Sequence, residues 1–470
     1  MRPFLLMFLL IFTMAGFPQE ADSGNEDAKM VQKIFEECLV SGDTYHLLEH
    51  LCTEIGPRLS GSQGAADAVA WTRQVMSDYG FDRVFLQEVM VPHWERGAAE
   101  SAVINPSKSG EKTELRMLAI GGSVPTPASG ITAEIIEVMS LDDLEGLGEK
   151  AIKGKIVFFN RPFDQKVIST GAGYGGAVDQ RTRGASAAAR YGAAAVVIRS
   201  VTSAMDDNPH TGTLIYTEDL PRIPAGALGY QSADKLTERL KADPKTRLTL
   251  TINSQWFPDA LSHNVVGELK GSERPDEIIA IGGHLDAWDV GEGAHDDGAG
   301  CMQAIMVLRT LQKLGIKPRH TLRAVMFMNE ENGLRGGKRY ADLAVENTEY
   351  HVFLLESDAG AFTPRGFGVN ASDEVLEKLR SFVQYFDPNT VTHIRKGGGG
   401  ADIGPLHRAT GTPMAGLMVD TQRTFDYHHA ETDLFENVNR RELELGTAAM
   451  AAFIYLIDKY GLAADGPQSE

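Results

Sequence analysis

The chain has 470 residues, with 64 acidic against 45 basic side chains and a formal net charge of −19. That balance argues against nucleic acid as the main partner, because phosphate binding needs a basic face. The length suffices for two or three domains around a large core. Three cysteines, Cys38, Cys52 and Cys301, allow at most one internal disulfide and point to neither a disulfide scaffold nor a four-cysteine zinc site.

In chain order, residues 1–20 read as a targeting segment. Arg2 gives a positive start, 4–14 is an apolar core, and Ala15-Gly16 offers small residues for cleavage. No later apolar run reaches about twenty residues, so the expectation is an exported protein with no membrane attachment after cleavage. Residues 31–39 and 45–51 carry apolar side chains at helical spacing until Gly56-Pro57 stops the pattern. The loop 56–64 (GPRLSGSQG) then leads into a helix over 65–79. Within the second piece, His46, Glu49 and His50 match the H-x-x-E-H zinc signature, but the chain offers a fuller ligand set elsewhere. Residues 81–91 alternate as a strand, and 92–97 (PHWERG) follow as a loop.

Residues 126–254 form a self-contained pattern. It comprises strands 133–138 and 155–159, an alanine-rich helix 185–191, a strand 194–198, and a strand and helix within 223–240. Glycine-rich 167–176 reads as an exposed loop, and His210 stands alone. We read 126–254 as a domain inserted between two parts of another, 25–125 and 255–465, with Pro258 in the return linker.

From Asn264 the chain alternates strand and helix. The apolar run 278–281 breaks at Gly282-Gly283, followed by His284, Asp286, Asp296-Asp297 and a helix over 301–314, in which Cys301 reads as a small buried residue. Strand 321–328 ends at Asn329-Glu330-Glu331, and strand 352–355 at Glu356-Ser357-Asp358. After a helix at 374–386 and a loop at 397–400, strand 414–419 precedes Tyr427-His428-His429, and a helix over 442–460 closes the chain. This alternation predicts an α/β fold with a mostly parallel sheet flanked by helices.

In such a sheet the carboxyl ends of the strands are neighbours, so His284, Asp296, Glu330, Glu331, Asp358 and His429 can converge. No dinucleotide or phosphate-binding glycine motif follows the strand. Carboxylates crowded with two imidazoles repel one another unless they hold cations, and two divalent ions bridged by one carboxylate neutralise them. Mixed His and carboxylate ligation suits zinc, with cobalt or manganese as substitutes. Of the adjacent Glu330 and Glu331, one would bind metal while the other handles a proton.

The stretches GGHLDAWDVGEGAHDDGAG, NEENG, LESDAG and YHHAETD resemble the co-catalytic zinc metallopeptidases of the aminopeptidase and glutamate carboxypeptidase family. IGPRLSGS, VPHWERGAAESAV, GITAEI, GKIVFFN, RSV, PHTGT and GADIGPL resemble it too, so the likeness spans nearly the whole chain after the first segment. It implies a zinc-dependent exopeptidase fold, with 126–254 an inserted, β-rich protease-associated domain.

Position by position the resemblance implies two Zn²⁺ per chain, with His284 and Asp358 on one, Glu331 and His429 on the other, and Asp296 bridging. Asp286 matches an outer acid that orients His284, Glu330 matches the general base, and the Asp296-Asp297 peptide is expected to be cis. The family's spacing, four residues before Asp433, selects His429 over His428. Leu434 departs from the family's usual Thr. The implied activity is hydrolysis of dipeptides or short peptides with free ends by metal-activated water and a Glu base. Its rivals are an aminopeptidase acting on longer chains and a non-catalytic receptor-like protein on the same fold. Small peptides are the expected partners, and the resemblance admits a homodimer.

Overall fold

The apolar run that breaks at Gly282-Gly283 forms the centre of an eight-stranded sheet. In this computed structural model, which describes residues 23–97, 100–107 and 110–462, the expected targeting segment lies outside the described residues. Strand Arg274–His284 pairs in parallel with His320–Phe327 on one side and Tyr350–Glu356 on the other, and Met414–Val419 continues parallel beyond Tyr350–Glu356. Successive strand–helix units require this, since a crossover through a helix returns the chain in the same direction.

Antiparallel pairs flank that centre. Arg83–Glu95 lies on Gln255–Leu269, which lies on His320–Phe327, and Pro364–Asn370 lies on Met414–Val419. Strand His393–Lys396 then closes the far edge, parallel to Pro364–Asn370. The expectation of a mostly parallel sheet thus describes its middle.

Two buried helices seal one face. Ala299–Lys313 and Arg440–Tyr460 bury Met302, Ile305, Leu308, Phe453 and Ile454 against Ile279, Ile281, Phe353 and Leu355, and Phe453 stacks on Phe367 with ring centroids 4.0 Å apart. Asn439 starts the last helix by accepting a hydrogen bond from Glu442 N at 3.1 Å, the usual role of Asn at that position. The first helix, Ser23–Ser41, docks on its far end, where Asp27 accepts from the Tyr455 hydroxyl at 2.7 Å and also meets Lys459 and Tyr460.

A second eight-stranded sheet takes the order Thr113–Leu115, Ser101–Asn105, Arg247–Thr251, Ile131–Val138, Ile156–Phe159, Ala195–Arg199, Ala225–Leu228, Met117–Ala119. The strands expected within 126–254 all fall in it. The expected boundary at 126 does not match this sheet, because three of its strands precede that residue. Ala102 and Ile104 point into its core opposite Leu250 and Leu248, an alternation too short to stand out in sequence.

Two further expectations change. Residues 92–95 continue strand Arg83–Glu95 instead of forming a loop, and the register shift between Val91 and His93 accommodates Pro92, which has no N–H to pair. Residues 167–176 contain a short helix, Thr170–Gly175, whose Tyr174 stacks on Phe425 at 4.7 Å. Cys38, Cys52 and Cys301 are all free and buried. His46 and Glu49 face solvent 3.5 Å apart, while His50 stacks on Trp71, so this trio gathers no further ligand among the described residues.

Candidate active site

His284, Glu330, Glu331 and Asp358 stand at or just past strand ends, while Asp296 and His429 sit on the longer loops that follow theirs. His284 is the last residue of its strand, and its backbone N–H donates to Asp297 Oδ2 at 3.0 Å. The following loop is held from the side by Arg58, fully buried, which donates to the carbonyls of Leu285, Glu292 and Gly293 at 2.6, 2.5 and 2.8 Å. Asp433 accepts the backbone N–H groups of His295 and Asp296 at 2.7 and 3.1 Å. The Asp296-Asp297 peptide is cis. His295 packs against the rings of Phe362 and Tyr427, at 4.4 and 5.1 Å between centroids.

Asp286 acts differently from the expectation that its carboxyl orients His284. His284 Nδ1 meets the Asp286 backbone carbonyl at 2.9 Å. The carboxylate instead accepts three backbone N–H groups, from Asn329 at 2.6 Å, Glu330 at 3.0 Å and Glu331 at 3.3 Å. The cause is the turn at the end of strand His320–Phe327. Asn329 takes the left-handed conformation, φ 73°, which Asn tolerates better than most residues, and three successive N–H groups then point at one acceptor.

The six expected groups converge. Asp296 Oδ1 lies 3.1 Å from His284 Nε2, which lies 3.6 Å from Asp358. Asp296 Oδ2 lies 3.3 Å from His429 Nε2, which lies 3.0 Å from Glu331. The two oxygens of Asp296 therefore face two different imidazoles, each with its own second carboxylate. His428 also reaches Asp296 Oδ2, at 3.7 Å, and stacks on His429 at 3.5 Å. Among the described residues the Glu330 carboxylate joins no such ion pair, and it lines the adjoining cavity.

The charges are strongly perturbed. Burial raises Glu331 to about 7, with Asp296 adding to the effect and His429 opposing it. Burial also raises Glu330, reinforced by Asp358 and Glu331. It would lower His429, but Glu331 and Asp296 more than offset it and hold that imidazole at about 10. His284 is likewise held well above its usual value, against burial, by Asp296 and Asp358. Burial would raise Asp296, but His284 and His429 hold it well below its usual value; the two raised glutamates beside raised imidazoles mark a cluster short of positive charge.

The second sheet supplies groups that the sequence reading missed. His210 is buried, and its Nδ1–H donates to the His428 carbonyl at 2.6 Å, while Thr211 N donates to the His429 carbonyl at 2.9 Å. Burial lowers the His210 pKa to about 4, so the ring is neutral near pH 7. These bonds hold His429 at φ 62°, a strained conformation for a side chain with a Cβ. Gly212 permits the approach, since a Cβ there would lie 2.5 Å from His429 Nδ1. Arg181, also buried, contacts His429 Nδ1 at 3.2 Å and donates to Tyr174 Oη and Thr211 O. A glycine inside PHTGT was the available signal.

Between the sheets lies a cavity of about 640 Å³. One wall carries His284, Asp296, Glu330, Glu331, Asp358 and His429, the other carries Arg181, Tyr216 and Arg222, and Ile215 and Trp256 also line the cavity. Leu434 is not among its lining residues. On one side the second sheet's loops grip the main sheet's Thr421–Asp426 segment: Thr170 Oγ1 donates to Thr421 O at 2.9 Å, Thr202 Oγ1 to Phe425 O at 2.7 Å, and Ser203 Oγ to Asp426 at 2.7 Å.

The donor set fits divalent cations. Asp296 Oδ2 and Glu331 Oε1 are buried without a hydrogen-bond partner, a costly state for carboxylate oxygens. Imidazole nitrogen with carboxylate oxygen is the ligand mixture that zinc accepts.

Segment 264–454 matches peptidase family M28. The chain is 33% identical over 414 residues to carboxypeptidase Q of Bos taurus, covering 88% of this chain and 85% of that protein. A crystal structure of a peptidase M28 precursor from Shewanella amazonensis superposes with a TM-score of 0.87 at 34% identity, over 95% of this chain and 100% of that one. The structure of BSAP, a zinc aminopeptidase from Bacillus subtilis, shares the fold with a TM-score of 0.64 at 22% identity, over 88% of this chain and 94% of that one.

Proposed function

The chain belongs to peptidase family M28, and on that premise we propose that it is a co-catalytic di-zinc exopeptidase hydrolysing dipeptides or short peptides with free ends. The observation that carries this reading is Asp296, whose two oxygens face two separate imidazole–carboxylate pairs. His284 and Asp358 would hold one zinc and Glu331 and His429 the other, with an oxygen of Asp296 offered to each pair. When bound, two zinc ions supply the charge that polarises a scissile carbonyl and lowers the pKa of an attacking water towards about 7.

The chain's own residues do the rest. Glu330 is the carboxylate on the cavity wall that is not tied into an imidazole pair, so it takes the proton of the attacking water and returns one to the leaving amine. Asp286 fixes the Asn329–Glu331 backbone through three hydrogen bonds, which keeps the two neighbouring glutamates in separate roles. The cavity volume and the grip on Thr421–Asp426 support short substrates, since an extended chain has one fewer side on which to leave.

The test is a peptide length series with free and blocked ends, run on protein whose metal content is measured. Two zinc per chain and fastest cleavage of free dipeptides are expected. Longer chains cut as fast as dipeptides would make it an aminopeptidase of broader reach. Active protein without stoichiometric divalent metal would remove the di-zinc reading altogether.

A further inference from the structure

The reaction described above uses one wall of the cavity and leaves the opposite wall unassigned. That wall carries two guanidinium groups, Arg181 and Arg222. Arg181 has Nη1 and Nη2 engaged by Thr211 O, His429 and Tyr174 Oη, and its Nε is buried without a partner among the described residues. Arg222 is exposed, and among the described residues it forms no hydrogen bond and no ion pair; its contact is the face of Tyr216, 5.6 Å from the ring centroid.

We propose that Arg222 is the carboxylate-recognition residue of this site. It would bind either the free C-terminal carboxylate of a dipeptide or an acidic side chain beside the scissile bond. The inference rests on the peptidase reading and deepens it by naming the chemical class of substrate.

Three observations carry it. The first is preorganisation. Arg222 lies in Pro221-Arg222-Ile223-Pro224, where two rings fix the flanking φ angles. The Tyr216 hydroxyl donates to Ile223 O at 2.6 Å and accepts from Val124 N at 3.1 Å, while Pro224 O accepts from Val196 N at 2.9 Å. The side chain therefore rises from a pinned backbone over a pinned ring, which lowers the entropy cost of binding.

The second is polarity. Acids crowd one wall and guanidinium groups stand on the other. A zwitterionic peptide fits that field in one direction, with its ammonium towards the acids and its carboxylate towards Arg222. A planar guanidinium with free N–H groups matches a carboxylate by two parallel hydrogen bonds. The third is the surface between the walls, where Ile215 and Trp256 are 59% and 44% exposed, apolar area of the kind that covers a side chain while polar ends are held.

The experiment uses zinc-loaded protein carrying Glu330→Gln to silence turnover, with binding measured by calorimetry. Three probes are compared: an apolar dipeptide, its C-terminal amide, and an amide whose second residue is Asp. Adding Arg222→Ala is expected to weaken the free dipeptide about tenfold or more, the usual loss for a hydrogen-bonded charge pair, and to leave the apolar amide alone. Arg222→Lys should recover part of the loss. If the Asp-bearing amide is weakened instead, the proposal holds with the side chain as the carboxylate source. Equal weakening of all three probes, or of none, overturns it, as does the same pattern from Arg181→Ala with Arg222→Ala silent.

A kinetic arm separates the two levels of the argument. In the otherwise unaltered enzyme, Arg222→Ala should raise KM far more than it lowers kcat on the free dipeptide. Wild-type protein that cleaves none of the peptides defeats the peptidase reading, while the binding comparison still decides the role of Arg222.

Discussion

The two sheets are built alike and used differently. Both have parallel strands at their centre, so both gather loops at one edge. In the first sheet those loops carry carboxylates and imidazoles that nearly touch. In the second, the loop after Ala195–Arg199 carries His210 and Thr211, which hold the backbone carbonyls of His428 and His429. The same layer architecture thus supplies reactive groups in one place and clamps and cationic groups in the other. The difference teaches that this site is a joint product: one wall carries the clustered acids and imidazoles, and the facing wall holds part of their geometry.

The most severe way to sharpen the comparison acts on the ligand wall. Glu330→Gln should lower turnover by about 10²–10⁴-fold with metal content intact, whereas Glu331→Gln should also lose metal, since an amide is a poorer zinc ligand. Metal analysis beside initial rates reads both. The reverse pattern would exchange the two roles, and undiminished turnover in both would break the assignment of this wall to the chemistry.

Next comes the facing wall. His210→Ala removes the donor to the His428 carbonyl without touching a proposed ligand. If the second sheet holds His429 in place, zinc affinity should fall about 10–100-fold, the range seen when supporting groups around ligands are lost. Titration against a competing chelator measures this. Unchanged affinity would reduce the second sheet to a cover.

The smallest effect is expected away from both walls. Asp27 is held below its ordinary value of 3.8: burial opposes ionisation, and Lys459, Tyr460 and Tyr455 outweigh it. A lowered carboxyl stabilises the fold above the unfolded value and loses that contribution as pH falls through the lower folded value. Asp27→Asn should therefore cost about 1 kcal/mol near pH 7 and progressively less below about pH 4. Denaturant titrations at several pH values, with metal content followed in parallel, test it. Loss of metal in this variant would mean that the ligand wall is not independent of the helix docked behind it.

The main sheet and the cluster were legible because one rule joins them. Strands of a parallel run end side by side, so acids and histidines just past those ends meet, whereas the choice of His429 over His428 and of Glu331 over Glu330 rested on the family resemblance. The facing wall was not legible because it depends on how the second sheet docks. His210 looked solitary for the plain reason that its partner, the His428 carbonyl, is 218 positions away. Asp286 misled for a different reason. The family resemblance implied that its carboxyl orients His284, while the left-handed turn at Asn329 brought three backbone donors to the carboxylate instead. Arg222 went unremarked because nothing in its local sequence said that it faces a cavity.

The scattering of the cluster along the chain has a thermodynamic consequence. Unfolded, the polypeptide presents its imidazoles and carboxylates singly or in neighbouring pairs, none able to hold a cation tightly. Folded, it presents them together. A cation that distinguishes the two states this strongly is a ligand of the native state alone, and each hundredfold excess over its dissociation constant adds about 2.7 kcal/mol to stability. Against a total that is usually about 5–15 kcal/mol, the supply of metal is then as much a determinant of how long this chain survives as any residue in its core.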